Sequence, residues 1–103
     1  MEEGKYMKNT HIIEVKSNKQ PVITIDSETK AVYIKFSQNK IAKTLQYDST
    51  GSEIVTLDID RNGNVVGVEL IGVKKFSIAA TTKLLSDKIK GVPDLREAQL
   101  VAC

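Results

Sequence analysis

From Val22 to Ile71 the apolar residues keep returning at every second position, and the sharpest interruption of that rhythm is Arg61-Asn62-Gly63. Alternation of period two is the pattern of a strand with one buried face, and an Asn-Gly pair between two such runs is a hairpin signal. Val22–Asp26 sets Ile23 and Ile25 on one side, and Asp26-Ser27-Glu28-Thr29-Lys30 reads as a turn. Ala31–Ser37 sets Val32, Ile34 and Phe36 against Tyr33 and Lys35; Gln38-Asn39 turns the chain. Ile41–Tyr47 follows with Ile41 and Leu45 opposed by Lys43, then a turn cluster over Asp48–Ser52. Glu53–Asp60 sets Val55, Leu57 and Ile59 against Thr56, Asp58 and Asp60, and Asn64–Ile71 sets Val66, Val68 and Leu70 against Gly67 and Glu69. In the hairpin turn, Asn62 and Gly63 both tolerate φ > 0. The whole predicts an antiparallel β meander of about five strands over residues 22–71, with one apolar face. His11–Val15 is a further short strand candidate.

A one-faced sheet needs a cover, and the C-terminal third supplies it. Ser77 can cap a helix over about residues 78–90, with Ile78, Leu85 and Ile89 on one stripe and Gly91 as its C′ residue. Pro93 can open a second helix over about 94–101, with Leu95 and Leu100 on its apolar side. Strands first and helices last make the fold class α+β. The 103 residues fit a single domain, with 1–10 polar and frayed, 22–75 as the β core and 77–102 as a helical tail.

Composition narrows the function classes. There is no Trp, so Ile, Val and Leu must build the core. A net charge of +2 is too mild to imply nucleic acid, although residues 48–69 are acidic and 70–90 basic. Those two stretches read as complementary solvated faces. Tyr33 and Lys35 echo a base-stacking platform, but no aromatic pair or basic groove accompanies them. The one cysteine, Cys103, excludes an internal disulfide and fits a reducing cytoplasm. His11 and Cys103, each unique, stand at opposite ends, so no zinc cluster can be assembled. The start lacks the apolar run of a secretory signal, and no stretch reaches the length of a membrane span. No phosphate loop, nucleophile elbow or zinc-protease motif occurs, so no catalytic residue and no cofactor are expected.

One motif does look like chemistry. Asp58-Ile59-Asp60-Arg61-Asn62-Gly63 through Glu69 fits the calcium-loop pattern D-x-D-x-N-G-x5-E, in which oxygen ligands alternate, a glycine makes the turn and a last glutamate closes the loop. Such loops lie between helices. Here the flanks alternate as strands, which carries Glu69 roughly 20 Å from the turn at about 3.3 Å per residue. The plain hairpin is therefore the reading adopted. Asp58, Asp60, Asn62 and Glu69 remain the residues that a cation site would use.

Ala31-Val32-Tyr33-Ile34, Ile41-Ala42-Lys43-Thr44 and the run from Leu57 through Asp58, Asp60, Gly63, Val65-Val66-Gly67-Val68-Glu69 to Leu70 together resemble the domain-of-unknown-function family 2283, the YuzE-like proteins. The resemblance covers about residues 22–75. The family often carries an acid just before the A-x-Y-I strand, where this chain has Lys30; Asp26 fits the aspartate that opens the turn. The resemblance implies a compact β meander with a helical tail and no enzyme activity. Some members look like antitoxins encoded beside small toxin-like ribonuclease relatives. The expectation is thus a cytoplasmic, non-enzymatic protein-interaction module. It would self-associate or bind a protein partner, a toxin among the possibilities, through a sheet edge or the C-terminal helices. The alternative is a small-ligand or divalent-cation domain using Asp58, Asp60 and Glu69.

Overall fold

The computed structural model describes residues 13–47 and 54–102. The expectations for residues 1–10, His11, the Asp48–Ser52 turn and Cys103 lie outside them. The strands are β1 (Val22–Asp26), β2 (Ala31–Lys35), β3 (Lys43–Tyr47), β4 (Ile54–Ile59) and β5 (Val65–Ile71). Helix α1 (Ile78–Ser86), a 3-10 turn (Leu95–Glu97) and β6 (Gln99–Ala102) follow. The strands form one six-stranded sheet in the order β3-β4-β5-β2-β1-β6. Every pairing is antiparallel except that of β1 with β6, which is parallel.

The expected meander is corrected on two counts. First, β2 pairs with β5, not with its sequence neighbour β3, which lies at the far edge. The chain between them runs across the end of the β4–β5 hairpin and borrows its hydrogen bonds. Phe36 and Ser37 N–H donate to Val66 O at 2.7 and 3.3 Å, and Ala42 N–H donates to Ile59 O at 2.7 Å. The hairpin can accept them because the β4–β5 register shifts between Asp58 and Ile59, leaving Val66 as an extra residue on β5. Phe36, at the start of this crossing, is 1% exposed and anchors it in the core. Second, the sheet is mixed rather than antiparallel, because its last strand arrives from the C-terminal segment.

One face is the apolar one expected. Ile23, Val32, Ile34, Val55, Leu57, Ile59, Val65, Val68 and Leu70 bury their side chains there, with Leu85, Ile89 and Leu95 from the cover. On β3 the sides differ from the expectation. Lys43 stands opposite Ile59 and Leu45 opposite Leu57, so the two share a face, as a period of two requires, while Thr44 and Gln46 point the other way.

Helix α1 starts where expected, with Ser77 Oγ accepting from Ala80 N–H at 3.2 Å. It ends at Ser86 rather than residue 90 because the backbone of Lys90 is needed elsewhere: its N–H donates to Ile13 O and its C=O accepts from Val15 N–H. The N-terminal segment thereby bridges the C-terminal segment to the hairpin, since Glu14 O also accepts from Val65 N–H at 2.8 Å. The expected strand His11–Val15 is reduced, among the described residues, to the bridge at Glu14.

The second helix is the other correction. Asp94 caps a single 3-10 turn, accepting from Arg96 N–H at 3.0 Å, and Ala98 then turns extended. Residues 99–102 pair with β1, which would otherwise leave its outer main-chain groups unmet. Leu95 is fully buried, whereas Leu100 is not.

Gly91 has φ +80°, and a Cβ there would run into the Val15 carbonyl oxygen. Gly91→Ala meets both the left-handed strain and that clash, and is expected to destabilise the protein by more than about 1 kcal/mol. The change would be read as a lower urea midpoint at unchanged slope.

Candidate functional site

The Asp58–Glu69 hairpin holds the polar residues that the sequence singled out, and the structure separates them. At the turn, Gly63 N–H donates to Asp60 O at 3.0 Å, Asp60 N–H donates to Asn64 O at 2.9 Å, and Gly63 has φ +87°. Only Gly63 is left-handed; Asn62 keeps a negative φ. This is a three-residue loop closed by a glycine bulge rather than a two-residue turn with both central residues at positive φ.

Asp60, 5% exposed, is the lock of this corner. Its Oδ1 accepts from Asn62 and Asn64 N–H, each at 2.9 Å. Its Oδ2 accepts from Asn39 Nδ2 at 3.0 Å. Asn39 belongs to the crossing segment, so one carboxylate fixes both the turn and the chain that passes over it. These donors hold the Asp60 carboxyl below its ordinary pKa, the Asn64 N–H contributing most and burial opposing. A hollow of about 190 Å³ beside it is walled by residues 16–19 and 37–39.

Asp58 lies on the other, open face of the sheet. Its Oδ1 accepts from Thr44 Oγ1 at 2.7 Å and its Oδ2 from Tyr33 Oη at 2.6 Å. Tyr33 is on β2, and β5 runs between it and Asp58. The ring reaches across because the intervening residue is Gly67, directly opposite Asp58. A Cβ on Gly67 would overlap the Tyr33 hydroxyl and sit 2.6 Å from its Cζ. Glu69 is opposite both Tyr33 and Thr56 on the same face. Burial, then the bond to Asp58, then the charges of Asp58 and Glu69 all favour the neutral phenol and raise the Tyr33 pKa above its ordinary value.

The cation candidates are thus distributed. Asp58 is engaged on the open face, Asp60 is turned into its own corner, Asn62 contributes a backbone N–H to Asp60, and Glu69 sits along β5 beside Tyr33. Among the described residues no three His, Cys, Asp or Glu side chains group as a metal would need. The partners of the two aspartates were the part that the sequence did not announce. The signal was there in Gly67, since a glycine inside a β-branched strand marks close approach by a neighbour.

The outer strands are the remaining candidates. On β3, residues 43–46 are exposed, with Leu45 at 40%. On β6 all four residues are exposed, with Leu100 at 57% and Val101 at 38%.

Residues 22–74, just over half of the 103, match the family described as Protein of unknown function (DUF2283), and the chain belongs to that family. The match spans β1 through β5 with Tyr33, Asp58, Asp60 and Gly67, and stops short of α1 and β6. No curated protein and no solved structure matches the chain. Among the described residues no helix is long and apolar enough to cross a membrane.

Gly67→Ala should cost about 1–3 kcal/mol by forcing the Tyr33 ring off its place. In a Tyr33→Ala background the same change should cost little, because the clash is gone, and denaturant melts of the four-member cycle would read the coupling. Equal costs in both backgrounds would mean that the ring does not depend on the glycine.

The Tyr33 shift also sets a pH dependence. A pKa raised in the folded state gives stability that is whole below the unfolded value of about 10 and is lost as pH rises above it. Of the three tyrosines, Tyr33 should resist forming tyrosinate until the protein unfolds, and Tyr33→Phe should flatten the alkaline fall in stability. An absorbance titration in which all three ionise together near their ordinary pKa would contradict the bond to Asp58.

Proposed function

We propose that this protein is a non-enzymatic protein-interaction module that works through an open edge of its sheet. The observation that supports this reading most is β6, a four-residue strand, Gln99-Leu100-Val101-Ala102, with no charge and every residue exposed. Edge strands present unpaired main-chain groups and readily accept another strand unless something blocks them. The edge β3 carries such a block, because Lys43, exposed and opposite Ile59, puts a charge on the edge strand, and a charged edge resists pairing. β6 carries none. The hydrogen bonds of the open face and of the hairpin corner support structural roles for Asp58 and Asp60 respectively, since both oxygens of each carboxylate already accept hydrogen bonds. An antitoxin-like role beside a toxin-like ribonuclease is the form of protein binding that the family resemblance implies, and a toxin-like reading frame adjacent to this gene would support it.

The tagged protein, recovered from its host with bound proteins identified and sedimented alone over a wide concentration range, should associate with itself or with a defined protein. Leu100→Lys should weaken that association at least tenfold. A chain that stays monomeric and retains nothing would overturn the reading. Calorimetric titration with Ca²⁺ and Mg²⁺ should be flat, and saturation at one ion per chain would favour the cation-binding alternative.

A further inference from the structure

We propose that the partner at this edge is a second copy of the chain, and that two β6 strands pair antiparallel about a two-fold axis passing beside Val101. The proposal rests on the reading of the protein as an edge-binding module and adds the partner and the register.

The register follows from the backbone. In the parallel pairing with β1, Val22 stands beside Gln99 and Thr24 beside Val101, and Gln99 N–H donates to Pro21 O at 2.9 Å. In a parallel ladder the main-chain groups of alternate residues point to alternate sides. Those of Gln99 and Val101 therefore face β1, and those of Leu100 and Ala102 face outward. Among the described residues no strand occupies that outer side.

An antiparallel neighbour must bring outward residues against outward residues. For a strand pairing with its own copy, the register that uses both outward residues twice sets Leu100 against the partner's Ala102 and Ala102 against the partner's Leu100. Each pair exchanges two main-chain bonds, and Val101 then meets the partner's Val101 in a non-hydrogen-bonded pair on the axis. Such pairs hold side chains closest and favour β-branched contacts.

The side chains fit this arrangement. Leu100 and Ala102 stand beside Ile23 and Ile25, on the apolar side of the sheet, where Leu100 is 57% exposed in one copy. Pairing would shelter it against the partner's small Ala102. No charged residue of β6 meets another across the axis. The contact is a short ladder, well under the roughly 1,200 Å² of a stable interface, so the dimer should be weak, with a dissociation constant on the order of micromolar or above.

Engineered cysteines read the register directly. With Cys103→Ser to remove the native thiol, Val101→Cys should form a disulfide-linked dimer under mild oxidation, since Cα atoms of a non-hydrogen-bonded pair lie about 4.5 Å apart, within disulfide range. Leu100→Cys, facing Ala102 rather than itself, and Leu45→Cys on the other edge should cross-link at least tenfold more slowly. In sedimentation equilibrium, Val101→Lys places like charges on the axis and should raise the dimer dissociation constant at least tenfold, with unchanged circular dichroism confirming the fold. Equal cross-linking rates for the three cysteines would overturn the proposal. So would a dimer that Val101→Lys leaves intact, or a chain that is monomeric throughout. If the chain is monomeric but retains another protein that Leu100→Lys releases, the edge-binding reading survives and the second copy does not.

Discussion

The open face of the sheet is organised around the Asp58 carboxylate. Its two oxygens take hydroxyls from Tyr33 on β2 and Thr44 on β3, strands that are not neighbours and that approach Asp58 from opposite sides. Backbone ladders connect each strand only to the next, but this carboxylate connects β3, β4 and β2 across β5. It can do so only because Gly67 leaves the surface of β5 bare where the Tyr33 ring passes. The arrangement resembles the covering of a strand glycine by a cross-strand aromatic, which restores the packing surface that glycine lacks. The donors are neutral and the acceptor is charged, a pairing stronger than one between neutral groups.

Asp60 does comparable work at the corner, and the contrast between the two aspartates explains why a calcium-loop pattern can arise without a calcium loop. In a helix-flanked loop, alternate oxygens converge on one point. In a hairpin, the glycine bulge and the β4–β5 register shift send Asp58 to the open face and turn Asp60 back on its own turn. Aspartate, asparagine and glycine are favoured in both settings for the same reasons: short side chains that accept backbone N–H bonds and a residue that tolerates the left-handed region. The shared residues therefore reflect shared turn chemistry.

Much of this was legible in the sequence where the deciding information was local. The alternation located β1, β2, β4 and β5, the Ser77 cap and the hairpin turn, because period and turn chemistry depend on neighbours in the chain. It also gave the face each strand buries, except at the bulge of β5, where Val65 takes the core place expected of Val66. Strand order was not legible, since nothing near Lys35 announces that β2 will pair with β5; that follows from Phe36 and Ser37 bonding to Val66, some thirty residues on. The end of the chain misled for a related reason. Pro93, Asp94 and the spacing of Leu95 and Leu100 suit a helix, but the open side of β1 offered hydrogen bonds to an extended segment, and tertiary pairing outweighed a weak local preference. The partners of Asp58 were hidden because they lie on other strands.

That same capture of the C-terminal segment transfers the sheet's edge from β1 to β6, and so decides what the molecule presents. β1 would be an edge of mixed character, ending in Asp26 and preceded by Pro21. β6 replaces it with four uncharged residues whose outward main-chain groups belong to Leu100 and Ala102. The opposite edge carries the exposed charge of Lys43 beside Ile59. Pairing of two copies through β6, as proposed, would leave two β3 strands at the new ends, each still carrying its lysine. Closed association in place of open-ended stacking is what such an asymmetry favours.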